Sequence, residues 1–185
     1  MAAFSIRPAT PADIPVITAI YADAVTHGTA SFELEAPDDA EMARRQRALL
    51  DNGYPYIVAE NDRTVLGYAY AGPYRPRSAY RFSVEDSIYV HPKAWRGGVG
   101  RALLECLIDA ATQRGFRQMI AVIGDSAQTP SIELHRAFGF RLVGNIENVG
   151  FKFGRWLDSV LMQRALGPGA TTKPSAIAPS QAGLE

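Results

Sequence analysis

The sequence predicts an α/β fold with a mixed sheet, and three observations carry it. Apolar residues recur at helical spacing near the start, Val-, Ile- and Tyr-rich strands occupy the middle, and helical spacing returns after Gly98 before further short apolar strands. The central strands follow one another as a meander, so strict βαβ repetition is excluded. No internal repeat is visible.

The first element is a short strand over 5–8. Thr10 can cap a helix, Pro11 suits its first turn and Asp13 favours its positive end, after which Ile14, Ile17, Ile20, Tyr21 and Ala24 define a buried face. A second helix is predicted over 38–52 with Gly53 as its stop. The intervening segment 26–36 carries His27, Thr29, Ser31 and Phe32, a loop suited to substrate contact. Strands are predicted over 56–60, 65–71 and 83–90, with Asn61-Asp62-Arg63 as the turn between the first two. Residues 72–80, punctuated by two prolines, read as a loop. A helix follows over 98–114, with Leu103, Leu107, Ala110 and Ala111 on one face and Gly115 as its stop. Residues 119–123 form a strand, 131–138 a short helix ended by Gly139, and 140–143 and 156–166 closing strands. One domain is expected over 1–166. The Gly, Pro, Ala, Ser and Thr residues of 167–185 have little to bury and are expected to form a disordered tail.

A chain of 185 residues can bury a core of its own. Lys plus Arg equals Asp plus Glu at 19 each, so no global attraction to nucleic acid or an anionic membrane is expected. The single cysteine, Cys106, excludes an internal disulfide framework and suits a reducing compartment. Flanked by Leu104, Leu107 and Ile108, it reads as a packing residue rather than a nucleophile. No apolar run reaches membrane-spanning length, and the first residues lack the pattern of a signal peptide, so a cytoplasmic location is the expectation. The three histidines are not at metal-ligand spacing, and no metal is expected.

The most informative stretch is Ser87-Ile88-Tyr89-Val90, followed by His91-Pro92-Lys93-Ala94-Trp95-Arg96-Gly97-Gly98-Val99-Gly100-Arg101. A strand enters a basic, glycine-rich loop that opens a helix. Glycines let amides converge on one point, and the helix start adds positive potential, which together form a cradle for phosphate. Lys93, Arg96 and Arg101 would add charge at its rim. Arg101-Ala102 stands where a P-loop needs Lys-Ser/Thr, and Leu103 where a dinucleotide fingerprint needs its third glycine. Spacing alone serves equally a phosphate cradle or a turn that packs a helix onto a sheet.

That stretch, with His135-Arg136-Ala137-Phe138-Gly139-Phe140 downstream, resembles the GNAT superfamily of acetyl-CoA-dependent N-acetyltransferases. Within it the chain is similar to the phosphinothricin and methionine sulfoximine acetyltransferases, through residues 68–73, 78–80, 84–90, 121–124 and 150–156, in order, across nearly all of 5–166. The resemblance implies a mainly antiparallel mixed sheet flanked by helices. It also implies acetyl-CoA as acetyl donor, a small amino-acid-like amine as acceptor, and a homodimer. Two positions depart from the pattern: Trp95 stands for the first Gln/Arg of the loop, and Gln128 for an Asn beside the CoA arm.

The resemblance further implies roles. Ile88, Tyr89, Val90, Trp95, Arg96, Gly97, Gly98, Val99, Gly100, Arg101 and Gln128 would contact the cofactor. Glu85 matches the general base, which the chemistry demands because only a neutral amine attacks; without the resemblance it reads as a strand-end carboxylate. An amide at Tyr89 or Val90 would stabilise the carbonyl's developing charge. His135 would protonate the departing thiolate, although a helical histidine alone reads as structural. Arg75 and Arg77 offer forks for an acceptor's anionic groups, or are exposed loop arginines. Ser87 completes the expected acceptor contacts, with Phe32, Tyr74, Lys152 and Arg155 as weaker candidates, since aromatic residues at such spacing usually belong to a core. Two other readings remain: a non-catalytic acyl-CoA sensor, and an acetyltransferase of protein N-termini or lysines.

Overall fold

The computed structural model describes residues 4–174. Seven strands form one sheet in the order β1-β2-β3-β4-β5-β7-β6. They are β1 (Ser5–Pro8), β2 (Tyr56–Asn61), β3 (Thr64–Pro73), β4 (Ser83–Val90), β5 (Gln118–Gly124), β6 (Arg141–Lys152) and β7 (Arg155–Ala165). Every neighbouring pair is antiparallel except β4 and β5. Helices α1 (Ile14–His27) and α2 (Asp39–Asp51) cover one face of the sheet, and α3 (Val99–Gln113) packs on the other; α4 (Thr129–Ala137) follows β5.

Local chemistry accounts for most boundaries. The Thr10–Asp13 capping box starts a short 3-10 turn that leads into α1, and the Asp38 side chain accepts from the Glu41 amide to start α2. Asp62 and Arg63 both take positive φ, the geometry of a two-residue hairpin turn, and join β2 to β3. Alternation along β4 sends Val84 and Asp86 into the α3 side of the sheet. Leu103, Leu104, Leu107 and Met119 are fully buried there, while Ile17, Val58 and Tyr68 are fully buried under α1 and α2.

Three expectations change. The strand expected over 140–143 continues to Lys152, carried past Gly144 and Gly150 by register shifts. Residues 78–80, expected as loop, form a 3-10 turn. The start of the expected tail is folded back on the domain: Gly169 is buried and donates to the carbonyl of Leu166, the last domain residue, at 2.9 Å, and Arg117 donates to the Gly169 carbonyl at 3.2 Å and to Thr172 Oγ1 at 3.1 Å. The rest of that expected tail, 175–185, lies outside the described residues.

Candidate active site

The parallel pairing of β4 with β5 covers only Ser83–Asp86 against Gln118–Ala121. Beyond it β4 stays paired to β3 as far as Val90, but its other edge opens into a fork. Tyr74 N donates to Ser83 O and His91 N to Leu66 O, so odd-numbered residues of β4 turn their backbone groups toward β3. By alternation, Ile88 and Val90 direct theirs into the fork, and Val90 O indeed accepts from Trp95 Nε1 at 2.9 Å. Of the two amides considered for charge stabilisation, Val90 therefore faces the opening, whereas Tyr89 pairs with Tyr68.

The glycine-rich loop descends to the same fork. Trp95 leaves a 3-10 turn with its ring largely exposed, Arg96 takes a positive φ of 60°, and Gly98 takes 84° as the residue preceding α3. Gly98 has no side chain to cap the helix, and the amides of Val99, Gly100 and Arg101 lie in the first turn, where no helical carbonyl reaches them. A Cβ added at Gly100 would sit 3.6 Å from both Val90 Cγ2 and Leu134 Cδ2, so the helix start is closely flanked by β4 and α4. This set of unpaired amides fits a diphosphate. Arg101 lies with its guanidinium 4.8 Å from the Phe138 ring centre, a cation–π partner as well as a rim charge.

On the face covered by α1 and α2, β4 presents Glu85, Ser87 and Tyr89, with Glu85 level with Ile120 of β5, whose Val122 and Gly124 follow on the same face. Burial, reinforced by the charge of Asp86 and opposed by Arg75, pushes the Glu85 carboxyl up to about 7. Arg75 is exposed, stacks on Tyr74 at 5.2 Å and reaches Glu85 electrostatically. Arg77 is exposed at the head of a 3-10 turn, without an ion-pair partner among the described residues. The Ser87 hydroxyl meets the Tyr70 phenol.

Two expected site residues are held by contacts within the chain. His135, expected to protonate a departing thiolate, is buried with both ring nitrogens engaged: Nδ1 donates to Ser131 O at 2.7 Å and Nε2 meets Asp86 Oδ2 at 2.8 Å. Burial opposes its charge, but the bond to Asp86 and that residue's charge outweigh it, so its pKa is raised. It ties α4 to β4 at the last paired residue before the fork. Gln128, expected beside the CoA arm, donates from Nε2 to Thr29 Oγ1 at 2.9 Å.

That bond belongs to a device the sequence did not reveal. The segment after α1 is held over the sheet by buried polar groups. Lys152 Nζ donates to Gly28 O at 3.0 Å and Ser31 O at 2.8 Å, and Tyr21 Oη shares a hydrogen bond with Ser31 Oγ at 2.9 Å. Asp125, itself paired with Arg155, accepts from the Ala127 amide at the end of β5. Lys152 and Arg155 thus position a loop and a turn through contacts within the chain. Lys152, named in the sequence only as a weaker acceptor contact, is buried, and this had no signature in sequence because its acceptors are backbone carbonyls more than a hundred residues away.

Comparison with known proteins gives a consistent result. The acetyltransferase (GNAT) family model matches residues 18–140. The chain is 57% identical over 162 residues to phosphinothricin N-acetyltransferase of Alcaligenes faecalis, covering 88% of this chain and 82% of that protein. It is 45% identical over 169 residues to L-methionine sulfoximine/L-methionine sulfone acetyltransferase of Pseudomonas aeruginosa, covering 89% and 95%. The crystal structure of a GNAT superfamily phosphinothricin acetyltransferase from Sinorhizobium meliloti, in complex with acetyl-CoA, superposes with a TM-score of 0.93 at 50% identity, covering 98% of each chain.

Proposed function

Because the chain belongs to the GNAT family and is an N-acetyltransferase, we propose that it acetylates the α-amino group of a small amino-acid-like acceptor, of the phosphinothricin, methionine sulfoximine or methionine sulfone type, with acetyl-CoA as donor. The observation that carries this reading is the fork: a cradle of unpaired amides at one side, and a partly buried carboxyl poised near 7 at its closed end. Relatives named for these acceptors, and one solved with acetyl-CoA, support it.

Acetyl-CoA supplies, when bound, an activated acetyl thioester. The amides of Val99, Gly100 and Arg101 would hold its diphosphate, with Gly98 turning the chain so that they converge. Glu85 takes the proton of the acceptor's ammonium group, directly or through water, which leaves a neutral amine on the sheet face; as the C–N bond forms and the C–S bond breaks, the second proton shed by the acylated nitrogen leaves with CoA as its thiol. The Val90 amide directs a hydrogen bond into the fork where carbonyl charge develops. Arg75 offers an anionic group of the acceptor a guanidinium on the side where it already senses Glu85. His135 and Asp86 act as positioning residues that pin the fork's apex.

The same reading includes a cytoplasmic enzyme that acts as a homodimer. Support for the dimer is the apolar face of β6 and β7, where Leu142, Val149, Phe151, Phe153 and Trp156 are each more than half exposed. The function is tested by thiol release from acetyl-CoA in the presence of phosphinothricin, methionine sulfoximine, methionine sulfone and the common amino acids. Release that depends on at least one acceptor is expected. A silent panel with acetyl-CoA tightly bound would instead establish an acyl-CoA sensor.

A further inference from the structure

Phe32 is the only aromatic residue of the 28–33 loop, and two glycines on different strands make its seat. A Cβ added at Gly150 of β6 would lie within 3.0 Å of three atoms of the Phe32 ring and of nothing else among its nearest contacts. A Cβ at Gly124, the last residue of β5, would strike the Thr29 carbonyl oxygen and lie 2.8 Å from Phe32 Cε1. Neither glycine has the positive φ that would explain it as a turn residue. Gly150 is required by the close approach of the ring, and Gly124 by that of the Thr29 carbonyl together with the ring.

The seat lies on the Glu85 face. Glu85 is level with Ile120, and Gly124 follows on the same side of β5 two side-chain steps later, about 13 Å along the strand. Between them Val122 is 38% exposed, so the floor is open there. Phe32, 39% exposed, stands at the far end of this floor as a wall, while Lys152, Tyr21 and Gln128 fix the loop around it. The backbone is pinned on either side, so the ring cannot retreat with its loop. Filling a glycine leaves it only the direction away from the strands.

We propose that Gly150, by seating Phe32, is a specificity-determining residue: it sets how long an acceptor side chain fits between Phe32 and Glu85. The inference rests on the acetyltransferase reading above. Four proteins test it: wild type, G150A, F32A and the double variant. Each is assayed with acetyl-CoA against methionine sulfoximine and against alanine methyl ester, a short acceptor. In G150A the KM for methionine sulfoximine rises by about tenfold relative to the short acceptor, the scale of a methylene-sized misfit in a pocket, and the KM for acetyl-CoA is unchanged. Once Phe32 is removed, the G150A change has no further effect beyond about twofold.

Failure takes two separable forms. If the wild type acetylates neither acceptor nor any member of the wider panel, the proposed function falls, and the selectivity assigned to Gly150 falls with it. If the wild type turns over but the G150A penalty persists in the F32A background, or falls equally on both acceptors, the seat is overturned and the function stands. Melting temperatures of the four proteins guard against a folding artefact: a G150A loss that F32A restores in stability as well as KM supports the steric seat.

Discussion

Glu85 and Asp86 are consecutive carboxylates with opposite surroundings, because successive side chains of a strand point to opposite faces. Asp86 points into the α3 side and meets a histidine that burial alone would neutralise; Glu85 points to the acceptor face and has only Arg75 to favour its charge. A base of this kind must be deprotonated to act. The wild-type rate at low acceptor concentration is therefore expected to rise with pH through about 7, and E85Q to lose that limb together with about a hundredfold or more in kcat/KM. Stability carries an independent sign. The folded-state pKa lies above the ordinary 4.5, so the contribution of protonated Glu85 is fully present below 4.5 and is lost as pH rises to about 7. Above that the charged carboxylate costs about 3 kcal/mol, less where solvent reaches it. Thermal melts should thus show wild type losing ground to E85Q between pH 4.5 and 8. Parallel curves across that range would remove the burial on which the assignment stands.

At the scale of elements, the start of α3 is decided by the backbone. Gly98 sits at φ 84°, and an added Cβ there meets nothing within 4 Å, so G98A pays only the left-handed conformation, about 1 kcal/mol. Relief of that strain would turn the first-turn amides away from their common focus. Calorimetry with acetyl-CoA should show G98A binding several-fold more weakly, with acceptor KM unmoved; unchanged affinity would place the diphosphate elsewhere. This helix was legible in sequence because Gly98 and Gly115 punctuate it and its apolar period is unbroken. The β2–β3 hairpin was legible from its turn chemistry for the same reason. The second half of β6 was not: Gly144, Asn145, Asn148 and Gly150 are poor strand formers, and its pairing survives through register shifts that no local pattern announces. Nor was the fork, since strands part where their neighbours pull them, not at a marked residue. The partners of His135 and Gln128 were equally invisible, because Asp86 and Thr29 meet them only in three dimensions.

At the scale of the molecule, β6 is the free edge of the sheet beyond β7, and a strand of this length and exposure seldom stays uncovered. Phe151 and Trp156 face each other in register across β6 and β7, with ring centres 5.2 Å apart and more than half of each residue exposed. They stand on the opposite side of the strand pair from Gly150 and Lys152, so a partner seated on them would not disturb the hold on the Phe32 loop. A charge placed there should separate the copies while leaving each one folded. W156E is expected to halve the mass measured by light scattering at micromolar concentration, with the circular dichroism of the wild type and undiminished acetyl-CoA binding, since the cradle lies at the β4–α3 junction. A wild type that is already monomeric would leave this apolar edge unexplained by self-association and would remove the dimer from the proposed function. A W156E protein that remains dimeric would instead move the interface to another surface.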